Sequence, residues 1–85
     1  MELVRTDRFV RDYEALPAEV RKRVDRKLAY LLQNIAHPSL RVKRVRRLEG
    51  IFEGSISMSY RFLFSIAPDA YVLIRIGKHD ILDKA

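Results

Sequence analysis

The sequence predicts a small α+β domain in which a two-helix hairpin packs on one face of an antiparallel sheet, in the order β-α-α-β-β-β. Apolar residues recur at spacings of three and four through residues 9–35, which is the period of a helix. From residue 51 onward, apolar and polar residues alternate instead, as they do in strands. The chain has 85 residues, a length that predicts a single domain covering residues 1–85.

The first half of the chain is predicted to form a short strand followed by two helices. Leu3-Val4-Arg5 is extended, and Thr6 or Asp7 is the predicted N-cap of the first helix, because either side chain can accept an amide N–H of the first turn. Pro17 ends that helix and begins a second one of about 18 residues. The apolar stripe of this second helix consists of Val20, Val24, Leu28, Leu31 and Ile35, widened by Leu32.

The opposite side of the second helix is basic. Its charged residues are Arg21, Lys22, Arg23, Asp25, Arg26 and Lys27. Such a surface either contacts nucleic acid or is simply solvated, and we favour the solvated surface because most charged helix faces are of that kind. The helix is predicted to end at His37-Pro38-Ser39, since the residue before a proline avoids the helical region.

The second half is predicted to be a basic loop followed by a three-stranded meander. The loop covers residues 41–48, where five cations alternate irregularly with three apolar residues. The strands cover residues 51–56, 60–66 and 71–76, with turns at 57–59 and 67–69. In the last strand, alternation places Val72, Ile74 and Ile76 on one face and Tyr71, Leu73 and Arg75 on the other. Residues 80–85 are predicted to be a short tail.

The composition restricts the cellular setting and the partners of the protein. The chain carries a formal net charge of +6, which indicates a polyanion or an acidic protein as a partner. It contains no cysteine, in keeping with a reducing cytoplasm. No apolar stretch has the length of a signal peptide or a membrane span. We therefore predict a cytoplasmic protein with no membrane association.

Basic residues on the last two strands form the candidate site. Arg61 lies in the middle strand of the meander and Arg75 in the last one. Lys78, His79 and Asp80 follow directly after that last strand. A sheet that presents arginine, lysine and histidine together is suited to a phosphate group. Arg61, Arg75 and His79 are therefore the predicted catalytic residues.

Two of these residues have roles that the sequence leaves open. Histidine is the usual general acid or base in proteins, so His79 is the natural proton carrier here, and Asp80 can orient it. Arg61 can bind a phosphate in bidentate fashion, or it can form an ion pair with Glu53 on the same face of the neighbouring strand.

The chemistry that suits this set is metal-free cleavage of RNA. The 2′-hydroxyl group attacks its own phosphodiester with help from a base, a cation and an acid. A second proton carrier beside His79 is open between Lys43, Glu53 and Asp80. Further phosphate contacts are predicted for Lys43, Arg44, Arg46, Arg47 and Lys78. The two histidines have no third ligand at a useful spacing, so no metal ion and no cofactor is predicted.

Nearly the whole chain resembles the RelE/ParE superfamily of toxins from toxin–antitoxin pairs. The matching segments are Phe9 to Tyr13, Leu16-Pro17 with the basic helix, the basic segment ending at Leu48, Tyr60-Arg61-Phe62-Leu63-Phe64 and Gly77-Lys78-His79-Asp80. The resemblance implies two helices packed on a small curved antiparallel sheet that the first strand also joins. It also implies a cognate antitoxin as partner, which would be acidic and partly disordered.

The resemblance implies a toxin whose RelE-like members are ribosome-dependent mRNA endonucleases. Arg61 matches the arginine that this branch places at the scissile phosphate, and His79 matches a basic catalytic position. The chain departs from the pattern at Glu53-Gly54-Ser55, where many members are basic, and at Lys84-Ala85, where many have a tyrosine nearby. The alternatives are a ParE-like toxin that binds DNA gyrase or another protein, and a catalytically degenerate homologue that still binds an antitoxin.

Overall fold

The computed structural model describes residues 1–82 and confirms the predicted element order. The strands are β1 (Glu2–Arg5), β2 (Lys43–Arg44), β3 (Phe52–Ser55), β4 (Tyr60–Ile66) and β5 (Ala70–Lys78). The helices are α1 (Asp7–Glu14), α2 (Ala18–Gln33) and α3 (His79–Leu82), and Pro38–Leu40 forms one turn of 3-10 helix. The strands form one sheet in the order β1-β5-β4-β3-β2. Lys84-Ala85, where the sequence departs from the resembled pattern, lies outside the described residues.

The sheet is mixed, whereas the prediction described it as antiparallel. The meander of β3, β4 and β5 is antiparallel as predicted. The first strand joins the sheet, but it runs parallel to β5, with Leu3 opposite Tyr71. Backbone hydrogen bonds from Glu2 to Asp69 and from Thr6 to Leu73 fix the two ends of this pair. The apolar pattern of a strand is the same in either direction, so the sequence does not reveal this orientation.

The basic segment predicted as a loop contains a short edge strand. Lys43 pairs with Glu53 and Arg44 pairs with Phe52, both antiparallel. The apolar residues of this segment recur every three positions, which concealed the strand because strands alternate every two. An edge strand that is short and cationic resists pairing with other chains, and both residues of β2 are exposed.

The two helices begin as the sequence predicts. Thr6 is the N-cap of α1, where its hydroxyl oxygen accepts the N–H of Phe9 at 3.2 Å. The same hydroxyl donates to the carbonyl of Leu73 at 2.9 Å, which ties the start of α1 to β5. Pro17 precedes the first residue of α2, which runs for 16 residues. The prediction that Leu32 widens the buried stripe was wrong, since Leu32 is 43% exposed.

The hydrophobic core lies between the helices and one face of the sheet. The rings of Phe62 and Phe64 are fully buried at its centre, with their centroids 5.3 Å apart. The helices contribute Phe9, Val24, Leu28 and Leu31, and β5 contributes Tyr71, Leu73 and Ile76. The connecting segments add Leu16, Leu40 and Ile56. Neither helix would be stable alone at these lengths, so this contact is what holds the hairpin on the sheet.

A β-bulge in β5 changes which residues face the core. Leu63 pairs with Arg75 and Phe64 with Leu73, so that Ile74 is the extra residue between them. Leu73 and Ile76 are therefore both buried against the helices. Simple alternation had placed these two residues on opposite faces, and that prediction was wrong because a bulge reverses the alternation at one point.

The second face of the sheet is partly covered at one end by α3. Leu63 and Leu82 are buried, although neither belongs to the main core cluster. The helix α3 contacts β4 and β5, and Nη2 of Arg47 donates to the carbonyl of Leu82 at 2.9 Å. The predicted tail thus begins with a helical turn, because Leu82 has an apolar site to occupy. No helix in residues 1–82 has the length and apolar character needed to cross a lipid bilayer.

Candidate functional site

The exposed end of the second sheet face carries a cluster of three charged side chains, which we call the Glu53 cluster: Lys43, Glu53 and Arg61. Nε of Arg61 lies 3.6 Å from Oε1 of Glu53, and Nζ of Lys43 lies 4.0 Å from the same oxygen. The three residues come from β2, β3 and β4, whose side chains alternate onto one face. The ion pair between Arg61 and Glu53 confirms that one of the two predicted roles of Arg61 is realised.

Backbone carbonyl groups hold the guanidinium of Arg61 in place. Its Nη1 donates to the carbonyl of Ser57 in the β3–β4 turn and to the carbonyl of Tyr60 at the start of β4, the latter at 3.0 Å. The side chain is only 22% exposed, and that of Glu53 is 13% exposed. Contacts among the described residues occupy Nε and Nη1 but not Nη2. A fixed guanidinium with a remaining donor is a suitable partner for a phosphate oxygen.

His79 lies at the start of α3, next to the strand that carries Arg61. Gly77 is directly opposite Arg61, and Lys78 is opposite Tyr60. The N–H of His79 continues this ladder by donating to the carbonyl of Ser59 at 3.0 Å. Diagonal neighbours across an antiparallel pair are about 7–8 Å apart, so the backbone brings His79 near Arg61. Lys78, His79 and Asp80 are all exposed.

Arg75 is held by α1 rather than by the Glu53 cluster. Its Nε donates to Oδ2 of Asp12 at 2.8 Å, and the N–H of Ile76 donates to the same oxygen at 3.1 Å. The side chains of Asp12 and Arg75 are 15% and 17% exposed. The carboxylate of Asp12 thus neutralises a nearly buried arginine. It also accepts the backbone N–H of Ile76, which lies beyond the part of β5 that pairs with β1. This contact assigns Arg75 a structural task.

Replacing Asp12 tests this assignment. We expect Asp12→Ala to lower the free energy of unfolding by about 2–4 kcal/mol, because it leaves a nearly buried charge and an N–H group without an acceptor. Asp12→Asn should cost less, since its amide oxygen can still accept from Ile76. Urea denaturation of the three proteins measures the difference. Equal stability of wild type and Asp12→Ala would show that solvent replaces the carboxylate at no cost.

The basic segment lines a wide cavity of about 870 Å³ beside the Glu53 cluster. Its cationic lining residues are Lys43, Arg44 and Arg46, and Glu49 is also present. Arg47 is directed elsewhere, to the carbonyl of Leu82. Of the phosphate-binding residues predicted in this segment, the structure thus places three around one cavity. Within residues 1–82, no group of three or more His, Cys, Asp or Glu is arranged to hold a metal ion.

Part of the basic side of α2 lines cavities, which the sequence does not reveal. Arg23, Lys27 and Ser39 line two adjoining cavities, one of which extends to Arg61. The sequence leaves this side open between contact with nucleic acid and a solvated surface, and most charged helix faces are solvated. The spacing of Arg23, Arg26, Lys27 and Tyr30 places all four on one side of a helix, which is the signal that would have identified the surface.

Comparison with solved structures identifies the fold. A YoeB/ParE toxin from Agrobacterium tumefaciens is 16% identical and superposes with a TM-score of 0.80, covering 93% of this chain and 99% of that one. The RelB–RelE antitoxin–toxin complex from Methanococcus jannaschii gives 17% identity, a TM-score of 0.72 and 95% coverage of both chains. The YoeB dimer from Staphylococcus aureus gives 13%, 0.78, and coverage of 93% and 97%.

No family model and no curated protein sequence matches this chain. At these levels of identity, the likeness to solved structures is one of fold. It covers nearly the full length of both partners in each comparison. The chain therefore has the fold of the RelE/ParE superfamily of toxins, as its sequence motifs led us to expect.

Proposed function

We propose that this protein is the toxin of a type II toxin–antitoxin system and that it inhibits translation by cleaving mRNA on the ribosome. The observation that carries the proposal is the position of Arg61 in the Glu53 cluster. Backbone carbonyl groups fix its guanidinium, and α3 begins close by at His79. The fold supports it, because solved structures named as YoeB and RelE share it. The net charge of +6 favours a polyanionic substrate.

The proposed reaction needs no metal ion or cofactor. A base removes the proton of the 2′-hydroxyl group, whose oxygen attacks the adjacent phosphorus, and an acid protonates the leaving 5′-oxygen. Arg61 stabilises the charge that develops on the phosphate oxygens. His79 serves as one proton carrier, and Glu53 or Lys43 of the neighbouring Glu53 cluster would serve as the other. Asp80, the neighbour of His79, would orient its ring.

The proposed protein partner is a cognate antitoxin. The solved RelE chains from Methanococcus jannaschii and Pyrococcus horikoshii are complexes with RelB, and YafQ from E. coli is in complex with DinJ. An acidic and partly disordered antitoxin would match the excess of 17 basic over 11 acidic residues here, and it would fold on contact. We propose the cytoplasm as the site of action, because the substrate is translated mRNA.

Induced expression in a bacterium tests the reaction. We expect growth arrest within minutes of induction and, by primer extension, new 5′ ends in translated mRNAs at the ribosomal A site. His79→Gln is the variant compared with wild type, because a glutamine amide cannot exchange a proton near neutral pH. It should produce far fewer new 5′ ends than wild type at equal protein level. Ends that persist unchanged in His79→Gln would remove this residue from the mechanism.

One observation supports a second candidate function. Glu53 neutralises the charge of Arg61 through an ion pair, as expected if this face binds a protein rather than a phosphate. The chain would then be a ParE-like toxin acting on DNA gyrase or another protein, or a degenerate homologue that retains only antitoxin binding. Growth arrest with intact mRNA and an induced DNA-damage response would favour the gyrase-type toxin. Absence of any growth effect would favour the degenerate homologue.

A further inference from the structure

A groove between α2 and the β3–β4 turn presents a second set of cations, which we call the α2 groove. It consists of two adjoining cavities that share Arg23, Lys27 and Ser39. The larger, of about 390 Å³, continues through Arg41 to Arg61. The smaller, of about 220 Å³, continues to Arg26, Tyr30 and His37. Arg61 therefore belongs both to the Glu53 cluster and to the end of this groove.

Arg61 pairs with Glu53 outside the groove, but the described lining of the α2 groove contains no acidic residue to balance its other cations. Burial lowers the pKa of Lys27, and the charges of Arg23, Arg26 and Arg41 lower it further. The carbonyl of Ser39 accepts a hydrogen bond from Nζ of Lys27 at 3.1 Å and keeps the ammonium in place. Like charges held close together in this way repel one another, and an anion bound between them would relieve the repulsion.

The smaller cavity is also lined by a pair of stacked rings. The rings of Tyr30 and His37 lie 4.1 Å apart with 4° between their planes. Nδ1 of His37 accepts the N–H of Ser39 at 3.2 Å, which fixes the orientation of the imidazole. Stacked planar side chains beside cations are typical of sites for single-stranded nucleic acid, where bases stack and phosphates meet arginine or lysine. An acidic protein segment would use the cations but not the rings.

We propose that the α2 groove binds single-stranded RNA, with phosphates at Arg23, Lys27 and Arg41 and a base against the Tyr30–His37 pair. The proposal extends the proposed function, because the strand bound here leads directly to Arg61. The groove would hold the RNA that flanks the scissile phosphate, and the Glu53 cluster would hold that phosphate itself. Binding in the groove requires neither cleavage nor the ribosome.

Fluorescence anisotropy with a labelled RNA of about 12 nucleotides, the upper part of the usual site size for one small domain, tests the proposal. The RNA carries 2′-O-methyl groups, so that it cannot be cleaved. The test variant is Arg23→Gln/Lys27→Gln, and the control is Arg11→Gln/Lys22→Gln, which removes the same charge from exposed positions on α1 and α2 outside the groove.

Each lost phosphate contact should reduce the slope of log K against log salt by about 0.7 for a single strand. The test variant loses two contacts, so we expect its slope to be smaller by about 1.4. Relative to equal binding at 1 M salt, this difference makes the variant bind roughly 25-fold more weakly than wild type at 0.1 M salt. The control should lose less than about threefold. Equal losses in both variants would show that RNA responds only to net charge, and the proposal would fail.

Further measurements separate the remaining explanations. Circular dichroism shows whether the loss of Lys27 disturbs folding. Arg23→Glu changes only one exposed side chain, so it should weaken RNA binding without affecting the fold. A polyglutamate peptide that binds as tightly as the RNA and is lost in the same variants would assign the groove to an acidic protein instead. Uncleaved mRNA in cells would contradict the proposed function alone, whereas cleavage with unaltered RNA affinity in Arg23→Gln/Lys27→Gln would contradict the groove alone.

Discussion

Gly54→Ala is expected to destabilise the protein by about 3 kcal/mol, at the upper end of the usual cost of overpacking a core. A Cβ atom at this position would lie 2.5 Å from Cζ of the Phe62 ring. That ring covers the glycine across the β3–β4 pair, and it cannot move aside because it is fully buried and stacked on Phe64. Urea denaturation followed by circular dichroism measures the loss.

A double-mutant cycle shows whether the ring is the cause. Phe62→Leu removes the edge of the ring that a Cβ atom would strike, so that Gly54→Ala should cost less than about 1 kcal/mol in that background. Gly77→Ala is the matched control, since a Cβ atom there has nothing within 4 Å. A cost for Gly54→Ala that is the same with and without the Phe62 ring would contradict this account.

The contact between Gly54 and Phe62 also matters for the site. Gly54 lies between Glu53 and Ser55, and Ser55 is opposite Arg61. Pushing β3 away from β4 at Gly54 would separate Glu53 from Arg61, whose charged atoms are 3.6 Å apart. The buried face of this strand pair thus fixes the geometry of the exposed face.

Most of the fold could be predicted from local sequence patterns. The N-cap at Thr6, the break at Pro17 and the bounds of β4 follow from short-range chemistry, and all three are confirmed. The extra residue in β5 and the parallel direction of β1 are set by the pairing of distant segments. Nothing in the local sequence of either strand distinguishes these arrangements from their alternatives.

The same distinction applies to the site. The Arg61–Glu53 ion pair was foreseen as one of two alternatives because both residues alternate onto one face of adjacent strands. The pairing of Arg75 with Asp12 joins residues 63 positions apart, and α1 carries no signal that marks one of its acidic residues for β5. Lys43 reaches Glu53 only because β2 exists, and a strand of two residues has too few positions to show alternation.

Replacement of Arg61 should have the largest effect on the proposed reaction. We expect Arg61→Ala to reduce the frequency of A-site cuts by about 10²–10³-fold, the usual loss when one donor to a developing oxyanion is removed. Arg61→Lys should recover only a small part, because a single ammonium group cannot satisfy Glu53, two carbonyl groups and a phosphate together. Primer extension at matched protein levels measures the cut frequency.

The loss has to be separated from unfolding, because Arg61 also holds the β3–β4 turn through the carbonyls of Ser57 and Tyr60. Thermal unfolding of each variant provides that separation, and Arg11→Ala on the exposed side of α1 is the control for loss of one charge. The double variant Arg61→Ala/Glu53→Ala removes the carboxylate that the single change leaves with only Lys43 as a partner, at 4.0 Å, so it should regain stability but not cleavage. A folded Arg61→Ala protein that cuts within tenfold of wild type would show that Arg61 is a structural residue, and the phosphate would have to be held by Lys43 and its neighbours in the basic segment.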